Sequence, residues 1–406
     1  EEECGDGYLI PSFTEAHLHL VRLARTYDGV DLRQCKDNEQ LLTRLKQYAQ
    51  ESSAQKWIVG SAFNPNLWQG EPPKQQLLNE YFPQRPVLLK NIDLHSGLFN
   101  ERAVLEIGVE AEEGMIYEES FWEAEGRVPV ATGEALVPLL LKTVQALNRE
   151  GITAVQSFDG QEGEQTVKAL AEGCTDFTLR VMGSRLASEF DEKEAYPAKE
   201  NLWQNKDGSL ARFAPGPLKL FIDGALNSQT ALLEDDYENE PGKLGIAILQ
   251  LDQLKALVAK GNSAQRPVAA HAIGDKANRW AVEAFASLPR GSCEKLRHRI
   301  EHAQLLPPGL ERQMAGLGLF ATTLPPHLPF DIVPALRHWG KERSKGLHVL
   351  RSMVEAGVKI ALTSDAPVAP FSPISSLHIA LFRLGLDGQV FLPQECLTPH
   401  QALLAL

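Results

Sequence analysis

Residues 8–19 read YLIPSFTEAHLH, an apolar segment that ends in two histidines separated by one residue. The pattern predicts a β-strand over residues 8–16, followed by His17 and His19. Because side chains alternate between the two faces of a strand, residues two apart point in the same direction. Two imidazoles side by side at a strand end can bind one divalent metal ion. Such a pair can also be structural, so the interpretation depends on the rest of the chain.

Seven further apolar segments, rich in β-branched residues, follow at intervals of about one helix length. This βαβα alternation predicts a parallel sheet. The further predicted strands are residues 151–157, 177–182, 218–223, 267–271, 297–302, 319–323 and 358–365. Eight such units predict an α/β fold, a (β/α)8 barrel of the TIM type.

The first and second predicted strands are separated by far more chain than one helix requires. The intervening chain contains a predicted helix at 38–51, predicted short strands at 56–61 and 86–90, and an acidic stretch at 110–125. A connection of this length is usually an inserted subdomain or a lid. The predicted organisation is a first part at residues 1–29, an inserted subdomain over the barrel mouth at 30–150, and the remaining barrel at 151–406.

Composition excludes several classes of function. The chain has 406 residues and a formal net charge of −13, which argues against nucleic acid as a partner. No apolar stretch is long enough to cross a membrane, so we expect no membrane partner. The five scattered cysteines contain no C-x-x-C pair and predict reduced thiols, hence a cytoplasmic location. We expect a small-molecule substrate, and homo-oligomerisation stays open.

Possible metal ligands lie at the predicted carboxyl ends of several strands, where barrels of this type carry their chemistry. They are His17, His19, Lys219, His271, His302 and Asp365. A single histidine at a strand end is usually structural. Six ligand-type residues at one face of a barrel instead predict a site for one or two divalent metal ions. Imidazole and carboxylate ligands favour zinc for a redox-neutral hydrolase.

Seven short motifs carry a resemblance to a known family. They are IPSFTEAHLH at 10–19, AFNPNLW at 62–68, DLHSG at 93–97, KLFIDGA at 219–225, HAIGDKA at 271–277, RIEHAQ at 299–304 and SDAPV at 364–368. Through them the chain resembles the amidohydrolase superfamily, in its branch of YtcJ-like and N-substituted formamide deformylase-like proteins. Two features depart from that family. Glu15-Ala16 stands where an aspartate commonly precedes the first metal histidine, and the flanking β-sandwich is largely missing, which suggests trimmed ends and a remnant of the sandwich within residues 1–29.

The resemblance implies how the ligands are shared between two metal ions. His17, His19 and Asp365 would hold one ion, and His271 and His302 the other. Lys219 would bridge the two ions after carboxylation by carbon dioxide, because a protonated lysine has no lone pair to offer a metal. The alternative leaves Lys219 unmodified, paired with Asp223 or Asp365 beside a single ion.

The predicted reaction is hydrolysis of a C–N bond in an amide, an N-substituted formamide or a cyclic amide. Metal coordination lowers the pKa of a bound water toward ~7, and Asp365 would accept its proton and pass it to the departing nitrogen. Two residues are expected to support the ligands: Glu301 behind the neighbouring histidine, and Asp223 in the loop after the fourth strand. The predicted substrate contacts are His95, Asn64 and Trp68 in the insertion and His327 after the seventh strand.

Other interpretations stay open at this point. Ordinary packing within the insertion explains His95, Asn64 and Trp68 equally well. The aromatic residues of the insertion nevertheless suggest a substrate with a hydrophobic N-substituent; they are Phe63, Trp68, Tyr81, Phe82 and Phe99. A mononuclear deaminase of an aminated ring would leave Lys219 uncarboxylated. An aldolase would use Lys219 to form a Schiff base, which the histidine set argues against. A non-catalytic binding module would have no reason to retain all six ligands.

Overall fold

The computed structural model describes residues 3–4, 7–8, 10–52, 57–65, 68–191, 196–198, 202–204 and 210–406. Within these residues the chain forms strands β1–β15 and helices α1–α16. The first two strands, β1 (Glu3–Cys4) and β2 (Gly7–Tyr8), form a short antiparallel pair. Tyr8 therefore belongs to this pair and not to the predicted first barrel strand, and Leu9 lies outside the described residues.

Eight parallel strands form the barrel, in the spatial order of the sequence. They are β3 (Phe13–Leu18), β9 (Ile152–Ser157), β10 (Arg180–Leu186), β11 (Phe213–Phe221), β12 (Val268–Ala272), β13 (Arg299–His302), β14 (Phe320–Thr323) and β15 (Lys359–Leu362). A parallel bridge between Leu18 and Ala366 connects the segment after β15 to β3. The predicted TIM-type barrel is confirmed, and each of the eight predicted segments overlaps one of its strands.

Strand β11 begins five residues earlier than predicted. The sequence favours the later start because Pro215 and Gly216 are disfavoured inside strands. The register between β10 and β11 shifts between Gly183 and Arg185, and this irregularity accommodates the two residues. The two backbones approach closely here. A Cβ at Gly216 would lie 2.8 Å from the carbonyl oxygen of Gly183, so this position requires glycine.

Helices surround the barrel and bury their apolar faces on it. They are α1 (Leu20–Arg25), α6 (Val137–Arg149), α7 (Glu164–Gly173), α8 (Leu251–Ser263), α9 (Asp275–Ala286), α10 (Ser292–Leu296), α11 (Leu310–Leu317), α12 (Leu328–His338), α13 (Gly340–Arg343), α14 (Leu350–Ala356), α15 (Pro373–Phe382) and α16 (Pro399–Leu404). In α6, Leu140, Val144 and Leu147 repeat at helical spacing and pack with Leu20 of α1. None of the helices in the described ranges is both long and apolar enough to span a membrane.

The chain between α1 and α6 forms a second, smaller sheet in the order β4 (Val30–Asp31), β5 (Ile58–Phe63), β6 (Val87–Asn91), β7 (Ser96–Phe99) and β8 (Met115–Tyr117). Its helices are α2 (Asn38–Glu51), α3 (Gln75–Tyr81), α4 (Glu101–Ile107) and α5 (Glu118–Glu125). Two apolar clusters pack against it, one including Leu41 of α2 and the other Phe121 of α5. We call this unit the inserted subdomain.

The inserted subdomain was only partly predicted from the sequence. The helix at 38–51 has the predicted bounds, and β5 and β6 overlap the predicted short strands, although Lys56 lies outside the described residues. The strands β4, β7 and β8 were not predicted because they are two to four residues long. The predicted boundaries of the three parts stay a prediction.

Candidate metal centre

The six predicted ligands all line one cavity of about 500 Å³ at the carboxyl ends of the barrel strands. Four belong to strands or end them: His17 in β3, Lys219 in β11, His271 in β12 and His302 in β13. His19 follows β3, and Asp365 follows β15. The parallel barrel thus brings together side chains that lie up to 348 residues apart in sequence.

His17, His19 and Asp365 form the tightest group of possible ligands. One donor atom from each lies within 4.8 Å of the other two. The Oδ1 atom of Asp365 lies 3.5 Å from Nε2 of His17 and 3.3 Å from Nε2 of His19. Backbone hydrogen bonds hold the group together: Asp365 N donates to His17 O at 2.9 Å, and His19 N donates to Ala366 O at 2.8 Å. Asp365 has a left-handed backbone (φ 58°).

Glu301 fixes the orientation and the tautomer of His17. The Nδ1 atom of His17 lies 2.5 Å from Oε2 of Glu301, which also accepts a hydrogen bond from the hydroxyl of Thr322. Burial would raise the pKa of Glu301, but Arg299 and His17 hold it well below its usual value. An ionised carboxylate can only accept, so Nδ1 donates and Nε2 keeps its lone pair toward the cavity. The prediction placed Glu301 behind its neighbour His302, whereas the structure pairs it with His17.

His17 is neutral at physiological pH in this arrangement. Burial, reinforced by the charge of Lys219, lowers its pKa to about 4 although the neighbouring carboxylates oppose the shift. A neutral imidazole is the form that binds a metal ion. For Asp365, burial acts against ionisation, but His17 and His19 hold the pKa of this carboxyl well below its usual value.

The second group consists of His271 and His302, whose ring centroids are 4.4 Å apart. Nε2 of His271 donates to the carbonyl oxygen of Gly224 at 3.0 Å, which leaves Nδ1 as the atom with a free lone pair. His302 has a left-handed backbone with φ 70°. Burial is the main cause that lowers the pKa of both histidines well below the usual value, so both are neutral.

Lys219 lines the same cavity as the two groups and has no carboxylate partner among the described residues. Its Nζ atom is 4.6 Å from the ring centroid of Phe158 and 4.9 Å from that of Phe221. Burial lowers its pKa to about 8, against the opposing charges of Glu301 and Asp365. The alternative considered from the sequence was an ion pair of Lys219 with Asp223 or Asp365. Within the described residues this ion pair is not formed.

Asp223 is a structural support for the loops on the second side. It is fully buried, and its carboxylate accepts hydrogen bonds from the backbone N–H groups of Leu232, Ile273 and Gly274 at 2.8 to 3.0 Å. Oδ1 also lies 3.6 Å from Nε2 of His271. Asp223 therefore ties the loop after β11 to the loop after β12, and its expected support of a ligand stays a prediction.

The known proteins that resemble this chain decide its family. Residues 3–406 match the model of the amidohydrolase family. The chain belongs to the amidohydrolase family. This membership confirms the resemblance stated from the sequence motifs and the expected hydrolase class.

Individual relatives cover almost the whole chain. It is 27% identical to the putative amidohydrolase YtcJ of Bacillus subtilis, over 97% of this chain and 78% of that protein. It is 22% identical to an N-substituted formamide deformylase of Arthrobacter pascens, over 97% of this chain and 77% of that protein. A crystal structure of an uncharacterized metal-dependent hydrolase from Pyrococcus horikoshii has the same fold, with a TM-score of 0.76 at 24% identity over 97% of this chain and 79% of that one.

The donor set fits a divalent cation. Three buried polar atoms at the centre have no hydrogen-bond partner among the described residues: Nδ1 of His19, Nδ1 of His302 and Oδ1 of Asp365. Buried polar atoms are nearly always satisfied, so three exceptions in one cavity need an explanation. Imidazole nitrogens and carboxylate oxygens are preferred ligands of zinc and similar ions.

The predicted substrate contacts have different positions. His95 of the inserted subdomain lines the cavity. Trp68 instead packs on Phe63 and donates to Asn38, and Asn64 is buried outside the cavity lining, so the structure favours the packing interpretation for both. His327 lies beside the cavity, where its Nε2 atom is 3.0 Å from the carbonyl oxygen of Ser364.

Several residues of the site were missed by the sequence analysis. The aromatic lining comes from Trp122, Phe158 and Phe221, and the aromatic residues named from the sequence do not line the cavity. Asp159 was also missed: it accepts from Val21 N at 2.8 Å and lies 3.9 Å from Nδ1 of His19. The one available signal was position, since Phe158 and Asp159 directly follow β9 and the carboxyl ends of barrel strands meet at one face.

Proposed function

We propose that this protein is a metal-dependent hydrolase that cleaves the C–N bond of an amide, an N-substituted formamide or a cyclic amide. The observation that carries the proposal is the convergence of His17, His19 and Asp365 within 4.8 Å, beside two further neutral histidines. The deformylase of Arthrobacter pascens, by its name, acts on N-substituted formamides, which supports this substrate class. Zinc is the proposed ion, because it suits this donor set and a reaction without redox change.

The two groups of histidines would hold the metal ions. His17, His19 and Asp365 would hold one ion, and His271 and His302 would hold the second, with a carboxylated Lys219 between them. Bound divalent ions lower the pKa of water and polarise a carbonyl group. The low pKa of Lys219 supports its modification, because only the neutral amine adds to carbon dioxide and burial enlarges the neutral fraction.

Asp365 is the proposed acid–base residue. Its carboxylate is ionised and its Oδ1 atom has no hydrogen-bond partner among the described residues, so it can accept a proton from the attacking water. It would return this proton to the departing nitrogen as the C–N bond breaks, giving a carboxylic acid and an amine. His17 stays neutral and oriented by Glu301 through these steps.

The test combines metal analysis with a substrate screen. Purified protein loaded with zinc or manganese is assayed against N-formyl, N-acyl and cyclic amides and against matched esters and phosphate esters. We expect turnover of at least one C–N substrate, loss of turnover with a chelator, and recovery when metal is restored. Turnover of esters or phosphate esters alone would overturn the proposal.

Metal stoichiometry separates the leading proposal from the predicted deaminase. Two ions per chain with a carboxylated lysine are expected for the hydrolase, and one ion with an unmodified lysine for the deaminase. His19→Ala should lose metal and activity. His400→Ala, which changes an exposed histidine on α16, is the matched control and should change neither.

A further inference from the structure

A second cavity, of about 390 Å³, lies between the barrel and the inserted subdomain. Its barrel wall comes from α1 and the segment after β15, and its other wall from β5 and β6. Arg22 and Leu94 line both this cavity and the first one, which contains the proposed metal ligands. Val368 lines the first cavity, whereas its neighbours Pro367 and Ala369 line the second. The two cavities are therefore adjacent, with Arg22 at their boundary.

Two basic side chains of the second cavity share one carboxylate. Nη1 of Arg22 lies 3.0 Å from Oε2 of Glu125, and Nζ of Lys90 in β6 donates to Oε1 of the same carboxylate at 3.0 Å. Burial would raise the pKa of Glu125, but Arg22 and Lys90 lower it to about 2, so the carboxylate is ionised. The three side chains are only 12 to 22% exposed. Two cations with one anion leave a partly buried excess of positive charge, which favours the binding of a further anion.

The other carboxylates near Arg22 are engaged by other groups. Asp159, Glu162 and Asp365 interact electrostatically with Arg22. Asp159 accepts hydrogen bonds from backbone N–H groups of α1 at 2.8 and 3.3 Å, and Glu162 pairs with Arg25. Asp365 belongs to the first group of proposed metal ligands. Within the described residues, none of the three forms an ion pair with Arg22, so no direct contact with them cancels the excess charge.

Several hydrogen-bond donors of this site have no acceptor among the described residues. Nε and Nη2 of Arg22 are two such atoms, and they form one edge of the guanidinium with parallel N–H groups, the geometry that binds a carboxylate. Lys90 uses one of its three ammonium donors. The hydroxyl of Ser61 also lines the second cavity without a hydrogen bond to the described part of the chain. Ala62 beside it has a left-handed backbone (φ 62°), and such strain in a non-glycine residue concentrates at functional sites.

The rest of the second cavity suits a hydrocarbon chain. Much of its lining is apolar and includes Leu23 of α1 and Phe371 after β15. The remaining charged residues of the lining, Asp31, Arg33 and Glu150, are exposed, so water screens their charges. A ligand that combines an apolar chain with an anionic end therefore matches both parts of the lining.

We propose that Arg22 and Lys90 bind a carboxylate carried by the substrate, at the end of a hydrocarbon chain remote from the C–N bond that is cleaved. This inference rests on the proposed function and names its substrate class as amides with a distal carboxylate. The amide group would lie at the metal centre in the first cavity, and the carboxylate beside Arg22 where the second cavity begins. The free edge of Arg22 would donate two parallel hydrogen bonds, with Lys90 and Ser61 as further donors.

The experiment measures kcat/KM for N-acyl ω-amino acids of increasing chain length and for the corresponding ω-carboxamides, in which a neutral group of the same size replaces the carboxylate. Release of the acyl group is the readout. At the chain length that fits, we expect the wild type to prefer the carboxylate by about 10- to 100-fold, because hydrogen bonds between charged groups are the stronger ones. Arg22→Met should remove most of this preference, and Lys90→Met should reduce it about fivefold. The preference should also decrease as the salt concentration rises.

Controls separate direct binding from a structural effect. Arg22→Lys keeps the charge but loses the paired donors, so it should retain part of the preference. Arg102→Met removes an arginine that pairs with Glu106 on the exposed side of α4, and it should leave the preference unchanged. If Arg22→Met loses metal or thermal stability, Lys90→Met and Ser61→Ala provide the test, and each should still lower the preference. The inference is overturned if the wild type shows no preference at any chain length, or if these variants keep the wild-type ratio.

A binding measurement keeps this test apart from the proposed function, because it requires no turnover. Calorimetry compares hexanoate with hexanamide on the zinc-loaded protein. Tighter binding of hexanoate, weakened by Lys90→Met but not by Arg102→Met, supports the carboxylate site even if no C–N substrate is cleaved. Equal binding of the two probes, or binding of hexanoate that Lys90→Met leaves unchanged, overturns the inference even if amides are hydrolysed, since a carboxylate bound only by the metal ions would not respond to Lys90.

Discussion

The two sides of the cavity present their ligands in different ways. At the junction of β3 and the segment after β15, His17, His19 and Asp365 already converge, and Glu301 fixes one of the rings. At β12 and β13 there are two histidines, and the donor that would complete the group is a lysine. On the proposed function, the first side would bind an ion as it stands, whereas the second would depend on carboxylation of Lys219. We expect the two sides to differ in affinity and in their response to substitution.

The largest expected effect comes from Asp365→Asn, which removes both a ligand and the acid–base group. Activity should fall by at least about 10³-fold, because acid–base catalysis alone contributes 10²–10⁴-fold. Kinetics at saturating metal measures this loss, with metal content determined in parallel. Asp387→Asn, an exposed aspartate change, is the control. Activity within tenfold of the wild type would show that Asp365 is not the acid–base residue.

A smaller effect is expected from Lys219→Ala, which should affect the second side selectively. Metal content should fall from two ions to about one per chain, and kcat should fall on the order of 10²-fold through loss of electrostatic stabilisation. Retention of two ions in the variant would remove the case for a bridging lysine.

The wild-type protein adds a pH test of the same residue. With a pKa lowered to about 8, Lys219 is mostly charged below pH 8 and mostly neutral above it. Recovery of metal-free enzyme in zinc and a fixed concentration of dissolved carbon dioxide should therefore accelerate about tenfold per pH unit below pH 8 and level off above it. A recovery rate independent of pH would contradict carboxylation of this amine.

The smallest effects are expected from changes to the carboxylates that support the two sides. Glu301→Gln should weaken the ion held by His17 about 10- to 100-fold, as is typical when a partner of a metal ligand is changed. Asp223→Asn should act more on stability, because Asp223 accepts three backbone N–H groups and lies 3.6 Å from Nε2 of His271. Metal titrations and thermal midpoints distinguish the two outcomes, and equal effects on both quantities would show that the sides are alike.

The barrel and the convergence of the six proposed ligands on one cavity were predictable because both depend on local sequence patterns. Parallel strands buried on two faces are continuous apolar runs, and the carboxyl ends of such strands meet at one face whatever lies between them. His17 and His271 could therefore be assigned to one site from their positions alone. The bounds of β11 could not be predicted in this way, because Pro215 argues against a strand. Only the structure shows the register shift that accommodates it.

The supporting residues were harder to predict because their partners are remote in sequence. Glu301 pairs with a residue 284 positions away, and the sequence suggested its neighbour instead. Glu118 gave no signal within an acidic stretch, and its contact with His95 forms only when the inserted subdomain folds. Trp68 is an aromatic residue in a family motif, and only tertiary packing distinguishes a core position from a substrate contact.

The contact between β3 and the segment after β15 has a consequence for the order of assembly. Its two backbone hydrogen bonds join residues from opposite ends of the barrel sequence, and the same contact carries three of the proposed ligands. A nascent chain holds its first two histidines from the start, but the aspartate that completes them is synthesised last. Tight metal binding should therefore require the contact between β3 and the segment after β15. The rate of metal uptake during refolding would then measure how fast the barrel closes.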